Sequence, residues 1–204
     1  MNDVERAISQ IEDIRAQLAA STRFRGIAPK GSALTGVFAC VVAIAQTLWP
    51  DTLAQDHLRY VAVWAVFTVA SVTIVAIEAI SISRALHGPI ADTLLGAVSR
   101  QVLPFGGAGA VITFAICRFS PDAAWMLPGI WQILIALVGF SAQPNLPRNV
   151  VWPARWYFLS GSVVLGLAGS SGTLSPWMMG LPLAIGQFVV VLILRDSGER
   201  DGRA

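Results

Sequence analysis

Residues 60–82 read YVAVWAVFTVASVTIVAIEAISI, a run whose only charge is Glu78. A helix that crosses the roughly 30 Å hydrocarbon core of a bilayer needs about 17–25 mostly apolar residues, since in lipid each backbone amide must be satisfied within the segment. This run meets that requirement, and its neighbours repeat the pattern. Residues 31–49 carry no charge. Residues 103–119 are short and rich in glycine (Gly106, Gly107, Gly109). Residues 123–142 follow Pro121-Asp122 and stop before Gln143-Pro144-Asn145. Residues 156–172 follow Arg155, and residues 176–194 stop at Arg195. The expected fold is all-α: a six-transmembrane-helix bundle over residues 31–194, with an N-terminal amphipathic helix and basic linker over 1–30 and a polar tail over 195–204.

Composition agrees. Hydrophobic residues make up 55% of the 204 positions and charged residues 13%, against about 25% charged in an ordinary soluble domain. So little charge cannot coat a globule of this size, and such an apolar chain is not intrinsically disordered. A net charge of +2 gives no electrostatic case for nucleic-acid binding. Cys40 and Cys117 form neither a disulfide framework nor a metal-binding pattern.

The basic residues set the orientation. With six spans, twelve of the fourteen fall on one side: five before the first span, Arg84 and Arg100, Arg148 and Arg155, and three in the tail. Only Arg59 and Arg118 lie opposite. Arginine and lysine are retained on the cytoplasmic side, so both termini are expected there. Trp49, Tyr60, Trp64, Trp125 and Trp177 fall near the outer boundary, and Trp152, Trp156 and Tyr157 near the inner one, as amphipathic rings prefer. Asp3 and Glu5, with no apolar run ahead of them, predict no cleavable signal peptide.

Outside the spans, Val4, Ala7, Ile11, Ile14 and Leu18 recur at helical spacing, with Ile8 widening the stripe. The opposite face mixes Glu5, Glu12, Asp13 and Arg15. A helix lying on lipid usually has a strongly basic polar face, so the mixed signs favour docking on protein. Residues 90–102, with Leu94, Leu95, Val98 and Val102 on one side, predict a short interfacial helix leading into the third span.

Over residues 8–26 the chain reads ISQIEDIRAQLAASTRFRG. This resembles the N-terminus of a group of uncharacterised bacterial polytopic membrane proteins, in which a helix of the form I-E-x-I-R-x-x-L/M-x-x-S-T-R-F leads into the first span. Ile11, Glu12, Ile14, Arg15, Leu18, Ser21, Thr22, Arg23 and Phe24 carry the match, about a tenth of the chain. The resemblance implies a bacterial inner (cytoplasmic) membrane protein, encoded beside a winged-helix regulator in such groups. It implies no activity.

Ionisable residues inside a membrane are functional candidates by default. Glu78 lies eighteen residues beyond Tyr60, about 27 Å along a helix and thus near the inner interface. It reads either as a proton or cation acceptor or as a boundary carboxylate paired with Arg84 or Arg155. Ser71, Ile74, Glu78 and Ser81 are expected on one inward face. Gln46, Gln132 and Gln187 read as helix-bridging amides or as the lining of a polar cavity. His57 and His87 lie on opposite sides and cannot share a haem iron. The spans contain no HExxH or GxSxG pattern, no paired aspartates and no clustered histidines, so an intramembrane enzyme is disfavoured and no cofactor or metal is expected. The glycines at 106, 107, 109, 166 and 169, with Ser162, and the pair Gly180 and Ala184 suit close helix packing.

Two functions remain. In the first, a membrane body presents the N-terminal helix to a protein partner or to a second copy, with Ile8, Ile11, Ile14, Arg15, Leu18, Arg23 and Phe24 as docking residues. In the second, a small transporter or channel subunit uses Glu78 and the three glutamines.

Overall fold

The computed structural model describes residues 29–87, 91–142, 151–171 and 174–201. Among these residues it is all helical, with no strand. The helices are α1 (Pro29–Leu48), the short α2 (Pro50–Leu53), α3 (His57–His87), α4 (Ala91–Phe119), α5 (Leu127–Ala142), α6 (Val151–Ser171) and α7 (Trp177–Asp201). A 3₁₀ turn, Pro121–Met126, leads into α5. Residues 3–20 of the predicted amphipathic helix lie outside the described residues, as do all seven predicted docking positions.

Proline marks the starts. It opens α1, α2 and the 3₁₀ turn, lies third in α6 and immediately precedes α7. A first-turn N–H has no helical partner in any case, so proline costs nothing there. Asp56 caps α3, its Oδ1 accepting the Arg59 N–H at 2.7 Å, which satisfies one of the free donors of that first turn.

Five segments are long and apolar enough to cross a membrane: Lys30–Leu48, His57–Ala85, Ser99–Phe119, Pro121–Ala142 and Trp177–Arg195. The remaining long helix, α6, spans 21 residues, but Arg155, Tyr157 and its serines and glycines dilute its hydropathy. The expected connector over 90–102 and the third span are one continuous helix, α4, with Pro104 inside it. The apolar period of Leu94, Leu95, Val98 and Val102 runs on into Leu103 without a stop signal, so nothing separates the two.

The six long helices close a ring: α1 packs on α3, α3 on α4, α4 on α5, α5 on α6, α6 on α7, and α7 back on α1. The closest seams are α1–α7 and α5–α6, and glycine makes them so. A Cβ on Gly180 would collide with Ala43. One on Gly129 would lie 2.8 Å from the Gly161 carbonyl oxygen, and one on Gly139 2.8 Å from the Ala154 Cβ. Backbones that approach this closely gain dispersion contacts along the whole seam. The glycines of α4 behave differently. A Cβ on Gly106 or Gly107 meets nothing within 4 Å, and Gly166 of α6 is equally open. Gly109, Gly169 and Gly180 therefore pack as expected, while these three do not.

The surface is inverted relative to a soluble protein. Val66, Leu103 and Phe119 are 71%, 75% and 73% exposed, whereas Gln132, Ser83 and Gln46 are 0%, 0% and 1% exposed. Apolar side chains outside and amides inside fit a lipid solvent, where exposed hydrocarbon costs nothing and polar groups need internal partners. The aromatic belts are only partly realised. Trp49, Trp152 and Trp177 are exposed, but Tyr60, Trp64 and Tyr157 belong to the buried core, with Leu127 and Met179.

Candidate functional site

Two polar arrangements organise the bundle. The first is at the end of α3 remote from His57. Glu78 is half-buried, and its Oε2 accepts the backbone N–H of Gly31 at 2.6 Å. Gly31 lies in the first turn of α1, whose N–H groups have no partner within the helix and carry the positive end of its dipole. The carboxylate is thus matched to a helix terminus, a partner that the sequence reading did not include. Arg155 lies elsewhere, its guanidinium 5.1 Å from the Trp152 ring centroid. A Cβ at position 31 would push the flexible carboxylate end of Glu78 aside. The predicted inward face of α3 divides. Ser71 Oγ is buried, but Ser81 is exposed and bonds back to the Ile77 carbonyl. At 3.6 residues per turn Ser81 has drifted about 80° from Ser71.

The second arrangement surrounds the start of α7. Pro182 lies inside this helix and has no N–H, so it leaves the Met178 carbonyl, four residues earlier, without its helical donor. Gln132 Nε2, from α5, donates to that carbonyl at 2.9 Å and lies 3.7 Å from Met179 Sδ. Trp156 Nε1, from α6, donates to the Pro182 carbonyl at 2.9 Å. Tyr157 of the same helix donates to the Leu183 carbonyl at 3.4 Å, and Tyr60, from α3, to the Ser175 carbonyl at 3.1 Å. Three helices thus reach the backbone of one segment through buried side-chain donors. Of these residues, sequence reasoning found Gln132 as a bridging amide. It placed Tyr60, Trp156 and Tyr157 in interfacial belts. The available signal was Pro182, since a proline inside a span announces a carbonyl in need of a donor.

The four predicted polar residues do not converge. Gln187 hydrogen-bonds Tyr157 and faces Gly36. Gln132 binds at Met178, nine residues from Gln187 along α7, about 13 Å at 1.5 Å per residue. Gln46 closes the link after α1, its Nε2 donating to the Leu53 carbonyl at 3.0 Å. Glu78 is at the Gly31 end. Gln46 Oε1, Gln132 Oε1, Ser71 Oγ and Ser83 Oγ are buried without a hydrogen-bond partner. Among the described residues no three histidine, cysteine or acidic side chains are grouped to hold a metal ion.

No family model, curated protein or solved structure matches this chain.

Proposed function

We propose that all six long helices cross the cytoplasmic membrane of a bacterium, that both termini face the cytoplasm, and that the protein acts as an interaction or signalling component. In this reading the ring is a scaffold, and the stripe of Ile8, Ile11, Ile14 and Leu18, flanked by Arg15, Arg23 and Phe24, docks on a protein partner or on a second copy. The observation that carries it is the Glu78–Gly31 hydrogen bond. The one carboxylate of α3, toward the end of that helix remote from His57, holds the first turn of α1, the point at which residues 1–28 join the membrane body. Gln132, Gln187 and Gln46 are likewise engaged with neighbouring elements, which supports a scaffold over a transport path. Lipid is the surrounding solvent.

Replacing Ile11 and Ile14 together with Asp tests this. An unpaired carboxylate buried at an interface costs several kcal/mol, and two would undock a short helix without touching a span. The Ile11→Asp/Ile14→Asp chain is expected to accumulate in membranes as the parent does and to lose the partner, or the second copy, that chemical cross-linking captures in intact membranes. Unchanged cross-linking would contradict the proposal.

A second reading, a small transporter or channel subunit, draws on the unpartnered amide oxygens of Gln46 and Gln132. It expects Glu78→Gln to abolish a solute or proton flux at normal protein level.

A further inference from the structure

The segment at the start of α7 is attached unlike any other part of the ring. Pro182 interrupts its backbone ladder at the Met178 carbonyl, and the missing donor is replaced by one amide from another helix. Its Nε2 also lies 3.7 Å from Met179 Sδ, while Gln132 Oε1 is buried without a partner. The other ties are single side-chain bonds as well, from Tyr60 to the Ser175 carbonyl and from Trp156 to the Pro182 carbonyl. The two flanks of the segment also differ. On one side Gly180 rests against Ala43 of α1. On the other, a groove of about 420 Å³ separates Trp177, Met178 and Leu181 from Leu159, Val163 and Leu167 of α6.

We propose that residues 175–182 form a strap that releases as a unit. When Gln132 lets go of the Met178 carbonyl, the outer turn of α7 swings toward α6 into the groove, while the rest of α7 stays on α1. The device couples the end of the bundle where α7 begins to α5 through the Gln132 hydrogen bond, with Trp156 of α6 and Tyr60 of α3 as its further ties. A backbone donor at position 182 would lock it, because that donor would hold the Met178 carbonyl from within the helix.

Amide hydrogen exchange of the full chain in lipid nanodiscs, read separately for residues 175–183 and 184–195, tests the strap. Gln132→Leu is expected to speed exchange in the first stretch by roughly fivefold or more, the shift that loss of one buried hydrogen bond supports, and to leave the second stretch unchanged. Adding Pro182→Ala, which restores an N–H, should reverse the effect. Pro182→Ala alone should slow the first stretch below wild type, an outcome readable even if Gln132→Leu fails to accumulate. With an added thiol oxidant, Val163→Cys paired with Met178→Cys should form a disulfide faster in the Gln132→Leu background than with Gln132 intact. The proposal is overturned if Gln132→Leu leaves exchange unchanged or accelerates both stretches equally. It is also overturned if Pro182→Ala neither slows nor rescues exchange, or if disulfide formation is no faster.

Discussion

A carboxylate in a span is tolerated when its charge has a fixed partner, and Glu78 has one in the Gly31 N–H at the positive end of α1. A hydrogen bond to a charged group contributes about 1.5–3 kcal/mol net. Glu78→Gln keeps a carbonyl oxygen in place and gives up the charge, so it is expected to accumulate normally and unfold slightly earlier in detergent. Gly31→Ala, which only pushes the flexible end of Glu78 aside, should destabilise no more than Glu78→Ala, which removes the bond outright. Thermal unfolding of the purified variants checks the order, and Glu78→Ala matching wild type would refute the contact. The depth of Glu78 was legible from the count of residues beyond Tyr60. Its contact with Gly31 was not, since a backbone N–H leaves no mark in the sequence. Gln132 was legible as a bridging amide for the same reason that its target was hidden: the carbonyl freed by Pro182 lies forty-six residues away.

At the scale of elements, the seams depend on where glycine meets a neighbouring backbone. Gly129→Ala and Gly139→Ala would force apart α5 and α6, at a cost of about 1–3 kcal/mol each. Gly106→Ala and Gly107→Ala meet open space and gain the helix propensity of alanine, about 1 kcal/mol at most. Their unfolding temperatures should therefore move in opposite directions. Equal losses at all four positions would mean that α4 packs far more tightly than its open glycines indicate. Apolar runs of bilayer length pointed to the long helices, but α4 begins at Ala91, well before the expected third span, and α6 lacks the hydropathy of the other five. Hydropathy could not distinguish a packed glycine from an open one, since both are equally compatible with an apolar helix. Nor could it separate the belt tryptophans Trp49 and Trp152 from the core pair Trp64 and Tyr60, because their spacing from the helix ends is similar.

For the whole molecule, closure of the ring by α1 on α7 places the first and last long helices side by side and antiparallel, with Gly36 against Gln187 and Gly180 against Ala43. The start of α1 and the end of α7 therefore lie at the same end of the bundle, and the Ser175 segment lies at the other. In the proposed orientation the first end, where the arginines collect, faces the cytoplasm. Five segments are long and apolar enough to cross about 30 Å of hydrocarbon, so a single-residue probe at each end tests the proposed arrangement directly. The decisive measurement is thiol labelling in intact cells with a membrane-impermeant reagent, after Cys40 and Cys117 are replaced by Ala and one cysteine is introduced at a time. A cysteine at Ser175 is expected to label, and cysteines at Ser9 and Ser197 are expected to label only after the membrane is opened. Labelling of Ser9 or Ser197 from outside, or protection of Ser175, would contradict the six-span ring with both ends in the cytoplasm.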